Sequence, residues 1–185
     1  VLKTLRFIDP INESVLLKGR VACEINSVNE LVLTELILNN VLASYAPEEV
    51  VALLSPFVFQ EKSETVPELN ERLSEGYAQI LATAERVGVV QAANKLNFED
   101  YATSLKIGLM EVVYEWARGM AFEKITDLTD VQEGTIVRVI TRLDETCREV
   151  RDAARVIGDA DLFRKMEECQ ALIRRDIVFA ASLYF

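Results

Sequence analysis

Residues that interrupt helices are scarce in this sequence. Its 185 residues include only seven Gly and four Pro, and three of the prolines, Pro47, Pro56 and Pro67, lie in one short window. Long stretches are therefore free of strong helix breakers. Half of the residues are hydrophobic, which is enough to bury a sizeable core. The sequence predicts an all-α protein, a bundle of long helices.

In the first half of the chain, apolar residues recur at the spacing typical of helices. They predict a helix over about residues 28 to 44 and a second helix from Pro47, where Pro and two following acidic residues suit a first turn. A third helix is predicted from Pro67 to about Val90. Residues 91 to 103 are predicted to form a loop.

The second half continues the helical pattern. It predicts a helix over residues 105 to 118, a short helix around residues 122 to 128, and a long helix that begins near Asp130 or Gln132 and ends at Gly158. The short helix, the turn and the long helix together resemble a helix-turn-helix in their spacing.

A last helix is predicted to follow Asp159 or Asp161, either of which can cap it. The chain then ends in an apolar run, which is predicted to pack into the core with Tyr184 finding a polar partner. The apolar positions of this helix are Leu162, Met166, Leu172, Ile173, Ile177 and Val178.

The charge balance limits how this chain could bind nucleic acid. Twenty Lys and Arg against thirty Asp and Glu give a formal net charge of -10, the wrong sign for general attraction to phosphates. Nucleic-acid binding would require a local basic stripe. No apolar stretch reaches the roughly 20 residues that span a bilayer, so no membrane contact is predicted.

The sequence lacks the residues of the common catalytic centres. It contains no His, which rules out a Ser-His-Asp or Cys-His nucleophile, and it has no glycine-rich phosphate loop. The paired carboxylates Glu48–Glu49 and Glu167–Glu168 are predicted to lie on solvated helix faces. We therefore predict no catalytic site and no bound cofactor in this chain.

The three cysteines are also predicted to be structural. Cys23, Cys147 and Cys169 are far apart, and without His they cannot complete a zinc site. They are predicted to be reduced thiols in the core, and no metal site is expected.

The helix that begins near Glu133 has two distinct faces. A polar row, spaced by four, three and four residues, contains Arg138, Arg142, Glu145 and Glu149. Such a row can present guanidinium groups to phosphates and bases, or it can be an ordinary ladder of surface ion pairs; spacing alone favours the ladder. The predicted buried stripe consists of Ile136, Val139, Ile140, Leu143, Cys147, Val150, Ala154 and Ile157.

Six blocks of sequence, in this order, resemble the C-terminal helical domain of exosome-associated DExH-box RNA helicases. Two stretches, VVYEWARGM and CREVRDAAR, are more similar to the cytoplasmic superkiller branch than to its nuclear paralogue. The blocks are KGRVACEI (18–25), ELVLTELILNN (30–40), FVFQEK (57–62), GLMEVVYEWARGMAF (108–122), EGTIVRVITRLDE (133–145) and RDIVFAASLY (175–184).

The resemblance implies that residues 1–185 are one domain of a larger, ATP-dependent 3′–5′ RNA helicase. Such a domain packs against two RecA-like motor domains, which bind ATP and magnesium, and helps to close a channel for single-stranded RNA. The implied partners are the RNA, the motor domains, the superkiller complex subunits and the exosome. The implied location is the cytoplasm, or the nucleus for the paralogous branch.

In this family one long "ratchet" helix lines the channel, and the resemblance assigns it to Glu133 to about Ile157. The family's RNA-facing positions fall on Arg138, Arg142, Glu145 and, outside the helix, Glu61. The arginines would neutralise the RNA backbone and stack on bases, while the glutamates would hydrogen-bond base edges or orient the arginines.

The alternative is a protein-interaction module that docks complex subunits or exosome adaptors, in which these side chains form surface ion pairs. Four aromatic residues are expected to be core or domain-interface groups rather than platforms for stacking bases: Phe57, Phe59, Tyr114 and Trp116.

Overall fold

The computed structural model describes residues 1–96 and 101–175 and confirms an all-α architecture. Within these ranges β-pairing is limited to an isolated antiparallel bridge between Ile8 and Val15. The helices are α1 (Leu17–Ala22), α2 (Glu30–Leu38), a 3-10 turn (Leu42–Ser44), α3 (Pro47–Val58), α4 (Glu71–Ala93), α5 (Tyr101–Ser104), α6 (Met110–Ala117), α7 (Phe122–Thr126), α8 (Glu133–Ile157) and α9 (Ala160–Ile173).

The predicted helix over residues 28 to 44 is shorter than expected. Asn29 caps α2, its side-chain oxygen accepting a hydrogen bond from the backbone N–H of Val32 at 3.1 Å. The helix ends at Leu38 because Asn40 adopts a left-handed conformation with φ of 57°. Asn tolerates the left-handed conformation better than most residues do. A residue in this conformation cannot continue a right-handed α-helix.

The helix predicted from Pro67 begins later. Asn70 caps α4 by accepting a hydrogen bond from the N–H of Leu73 at 2.8 Å, so the chain from Pro67 to Asn70 is not helical. The helix then runs to Ala93, inside the stretch predicted as a loop, which also contains α5 (Tyr101–Ser104).

Helix α9 confirms the predicted last helix through Ile173, and Asp159 is its cap, accepting from the N–H of Leu162 at 3.0 Å. The remaining predicted positions of this helix, Ile177 and Val178, lie outside the described residues, as does Tyr184. Residues 97–100 of the predicted loop also lie outside them.

Helix α3 forms the centre of the core, because every residue from Glu49 to Val58 is buried. It contacts α4, α6, α8 and α9. Pro56 lies inside it and has no N–H to donate to the carbonyl of Ala52. The hydroxyl of Ser55 donates to that carbonyl at 2.7 Å, so the oxygen left by the proline keeps a partner.

Helices α8 and α9 form a hairpin that packs on α3. Gly158 makes the turn with φ of 78° and its N–H donates to the carbonyls of Ala154 and Arg155, a left-handed C-cap. The predicted stripe of α8 is buried from Ile136 to Ala154, which holds the helix rigidly while its other side faces solvent. Among the described helices, none combines the length and apolar character needed to cross a bilayer.

The cysteine prediction holds for two residues and fails for the third. Cys147 and Cys169 are fully buried between α8 and α9, whereas Cys23 is exposed at the end of α1. Helix α1 ends at Ala22 and Cys23 is its C-cap, so the Cys23 side chain lies at the end of the helix and not on its buried side. The aromatic prediction is confirmed at Trp116, which is 1% exposed.

Candidate nucleic-acid interface

The solvent-facing side of α8 carries three of the four residues predicted to face RNA. Arg138, Arg142 and Glu145 are all exposed, and they lie along about 10 Å of the helix axis at 1.5 Å per residue. Arg148 lies three residues beyond Glu145 and is also exposed. We call this set of four residues the α8 strip.

The fourth member of the polar row, Glu149, is not on the exposed surface, and that prediction was wrong. Its carboxylate accepts hydrogen bonds from the backbone N–H groups of Asn26 (3.0 Å) and Ser27 (2.9 Å) and from the Ser27 hydroxyl (2.7 Å). Seven residues are nearly two helical turns, so Glu149 points almost in the direction of Arg142. The link between α1 and α2 covers the helix at this level, which periodicity cannot reveal.

Glu61 meets the beginning of the α8 strip. The hydroxyl of Thr135 donates to the two Glu61 carboxylate oxygens at 3.1 and 3.3 Å, and Arg138 donates to that hydroxyl at 2.9 Å. The Arg138 guanidinium lies 3.8 Å from Glu61, with both side chains more than half exposed (55% and 57%). An exposed pair of this kind contributes little to stability and remains available to a ligand.

Arg138 folds back toward the first turn of α8. A Cβ atom placed on Gly134 would lie 3.7 Å from the Arg138 guanidinium, an ordinary contact distance, so that group lies beside the first turn. The first turn also carries backbone N–H groups without helical partners, which favour an anion nearby. The geometry presents a cation and backbone donors on one small surface.

The segment that carries Glu61 is fastened to the turn before α8 by Asp130. The hydroxyls of Ser63 and Thr65 both donate to the same carboxylate oxygen of Asp130, each at 2.5 Å. The N–H of Glu64 donates to the other oxygen at 3.1 Å. The Asp130 N–H in turn donates to the Thr65 hydroxyl at 2.9 Å. The hydrogen bonds from Ser63, Thr65 and Glu64 hold the pKa of Asp130 well below its usual range. We call this arrangement the Asp130 anchor.

Farther along the strip, Glu145 pairs with Arg148 rather than with Arg142. Their closest side-chain atoms lie 3.8 Å apart, and both side chains are more than half exposed. The Arg142 guanidinium forms no ion pair with any residue in the described part of the chain. Arg142 is therefore the member of the strip whose charge is least compensated by its neighbours.

The two predicted carboxylate pairs differ in their surroundings. Glu167 and Glu168 are exposed as predicted, but Glu49 is 5% exposed and the prediction of a solvated face was wrong there. Burial raises the pKa of Glu49, but hydrogen bonds from Arg72 (2.8 Å) and from the backbone N–H of Ala46 (2.8 Å) outweigh it and lower that pKa. This buried carboxylate has a structural role.

The α8 strip has the chemistry of a binding surface. Guanidinium groups can bind phosphates and stack on bases, and exposed carboxylates can accept hydrogen bonds from base amino groups. Within residues 1–96 and 101–175, no group of three or more Cys, Asp or Glu side chains is arranged to hold a metal ion. Sequence reasoning did not identify Thr135 or the Asp130 anchor as parts of this surface, because their partners are more than sixty residues away.

Comparison with known proteins adds a family match. A family model described as the DSHCT (NUC185) domain matches residues 12–180. Along its whole length the chain is 52% identical to antiviral helicase SKI2 of Saccharomyces cerevisiae, 48% identical to superkiller complex protein 2 of Homo sapiens and 45% identical to exosome RNA helicase MTR4 of Homo sapiens. It spans only 15%, 15% and 18% of the lengths of those proteins.

Proposed function

Because the chain belongs to the DSHCT (NUC185) domain family, we propose that it is a non-catalytic domain of an ATP-dependent 3′–5′ RNA helicase, which guides single-stranded RNA through the helicase channel toward the exosome. The resemblance to superkiller-type helicases that the sequence blocks indicated is confirmed by the similarity to SKI2 and superkiller complex protein 2. ATP and magnesium would be bound by RecA-like motor domains of the same protein, outside these 185 residues.

The observation that carries this proposal is the α8 strip with Glu61 at its beginning. Arg138, Arg142 and Glu145 project from a helix whose opposite side is buried, so their spacing is fixed by a rigid scaffold. Arg142 has a largely uncompensated charge, which suits it to contact a phosphate. Glu61 and Glu145 are placed beside arginines, where each can orient a guanidinium or accept a hydrogen bond from a base.

The net charge of the whole chain fits a domain that guides RNA through weak contacts. A net charge of -10 provides no general attraction to RNA, so binding would depend on a few local contacts. Contacts of this kind are weak individually and can break at each step as a motor pulls the strand. The same reasoning implies that the isolated chain binds single-stranded RNA only weakly.

We place the chain in the cytoplasmic superkiller branch, with the superkiller complex subunits and the exosome as partners of the full-length protein. The names of the relatives support this: superkiller complex protein 2 names its complex, and MTR4 is named for the exosome. Localisation of the full-length protein to the nucleus would instead support the paralogous branch.

The test is the double substitution Arg142→Ala/Glu145→Ala in the full-length helicase. We expect the RNA concentration for half-maximal ATPase stimulation to rise about five- to tenfold, the cost of losing one or two charge-assisted contacts, while the ATPase rate without RNA stays unchanged. The control is Asp161→Ala/Arg164→Ala, which removes one acidic and one basic side chain, both exposed, from α9.

Unchanged RNA stimulation combined with failed complex assembly would refute the guiding role and support the alternative, a protein-interaction module. In that case the side chains of the α8 strip would be surface ion pairs, as their spacing alone suggests.

A further inference from the structure

We infer that Asp130 is a positioning residue of the RNA-guiding surface and that it acts through Glu61. The inference rests on the proposed function and deepens it, since it concerns how the surface is held in shape rather than what it binds. Asp130 lies in the turn before α8, outside the α8 strip, and its place in the sequence identifies it only as a possible helix start.

The segment that carries Glu61 has no regular structure of its own. Residues 59 to 70 connect α3 to α4 without a helix or strand, so no ladder of backbone hydrogen bonds fixes them. At one end Phe59 is 1% exposed and locked into the core. The other fixed point is the Asp130 anchor, which holds Ser63, Glu64 and Thr65.

Glu61 therefore sits on a short bridge between two fixed points. Only Gln60, Glu61 and Lys62 lie between Phe59 and Ser63. All three are exposed, and a bridge this short has little freedom once both of its ends are held. Its geometry brings the Glu61 carboxylate within hydrogen-bonding distance of Thr135, the residue that also accepts from Arg138.

Asp130 itself is poorly suited to contact RNA. Two hydroxyl groups and one backbone N–H already donate to its carboxylate, which occupies most of the acceptor positions of the group. Its negative charge would also repel a phosphate. Its contribution is to fix where the neighbouring segment, and hence Glu61, lies relative to α8.

The experiment is a double-mutant cycle in the full-length helicase with Asp130→Ala, Glu61→Ala and the combined variant. The readout is the RNA concentration for half-maximal ATPase stimulation. We expect either single substitution to raise that concentration about three- to tenfold and the combined variant to be no worse than one alone, because both remove the same contact. The ATPase rate at saturating RNA should stay unchanged.

Two further variants separate positioning from general effects. Asp127→Ala removes the same charge from an exposed residue of the preceding turn and should behave like the wild type. Ser63→Ala/Thr65→Ala removes the two hydroxyl donors but keeps the Asp130 charge, and it should reproduce the effect of Asp130→Ala. If Asp130→Ala does not fold, this second variant completes the cycle with Glu61→Ala.

Additive effects of Asp130→Ala and Glu61→Ala would overturn the inference, since Asp130 would then act independently of Glu61. The inference would also be wrong if Asp130→Ala and Glu61→Ala showed normal RNA stimulation while Arg142→Ala/Glu145→Ala was impaired. That result would still support the proposed function. If none of these variants changes RNA stimulation, both the inference and the proposed function are wrong.

Discussion

One carboxylate oxygen of Glu149 on α8 accepts two hydrogen bonds from Ser27, which lies in the link between α1 and α2. The Ser27 N–H donates at 2.9 Å and the Ser27 hydroxyl at 2.7 Å. The carboxylate belongs to a residue that is 5% exposed. A buried carboxylate is tolerated only when hydrogen-bond donors surround it. The donors to Glu149 come from a segment more than a hundred residues away in the sequence. This contact ties the first part of the bundle to the helix that carries the candidate site.

Glu149→Ala is predicted to lower the free energy of unfolding by about 1–3 kcal/mol, because it removes the buried carboxylate that accepts hydrogen bonds from the N–H groups of Asn26 and Ser27. Urea denaturation of the purified chain measures this change. Glu145→Ala is the matched control, since it removes the same charge from an exposed position of the same helix. A loss as small as that of the control would show that solvent replaces the carboxylate.

The Asp130 anchor predicts a loss of stability in acid. The folded-state pKa of Asp130 is lowered by its donors, so its contribution is complete above the ordinary Asp pKa of about 3.9 and is lost as the pH falls through the folded-state pKa. Unfolding free energies measured from pH 7 down to about pH 2 should therefore fall more steeply below pH 4 for the wild type than for Ser63→Ala/Thr65→Ala. Parallel curves would contradict this assignment.

Gly19 marks a close contact between α1 and the N-terminal segment. A Cβ atom at this position would lie 2.5 Å from the carbonyl oxygen of Phe7, which also accepts a hydrogen bond from Leu16. Gly19→Ala should therefore destabilise the chain by about 1–3 kcal/mol through backbone displacement.

Gly88→Ala is the counterpart of the Gly19 prediction. A Cβ atom there meets no atom within 4 Å, and the position lies inside α4, so alanine should stabilise the helix by about 0.5–1 kcal/mol. Thermal melting of both variants compares the two effects directly, and equal shifts would show that the Gly19 contact relaxes without cost.

Thiol labelling should distinguish the three cysteines. In the native chain only Cys23 is exposed, and both the contact with Cys169 and burial raise the pKa of Cys147, which suppresses its reactive thiolate. A colorimetric thiol reagent should react rapidly with one thiol per native chain and with three in denaturant. Cys23→Ser should abolish the rapid reaction; fast reaction of a second thiol would show that the contact between α8 and α9 opens readily.

The sequence predicted the parts of the fold that depend on local pattern. The bounds of α8 followed from the apolar stripe and from Gly158, whose left-handed turn only glycine adopts without strain. The end of α2 was missed because Asn39 and Asn40 are compatible with several conformations. The cap at Asn70 was missed because Pro67 offered an equally plausible helix start.

The candidate site depends on contacts that no local pattern encodes. Spacing identified Arg138, Arg142 and Glu145 as a row but placed Glu149 among them, since periodicity reports direction around a helix and not what covers it. Glu61 was identified by family resemblance alone. Its approach to Arg138 requires the packing of α3 against α8 and the anchor at Asp130, both of which form only in the folded chain.

The hydroxyl of Ser55 is useful only because its neighbour is a proline. With any other residue at position 56, a backbone N–H could donate to the Ala52 carbonyl. The Ser55 hydroxyl would then no longer be needed to satisfy that carbonyl in the buried centre of α3. The two positions should accordingly vary together during evolution, with serine dispensable once the proline is gone. A lineage that lost the serine first would pass through a less stable ancestor, so replacement of the proline should come before replacement of the serine.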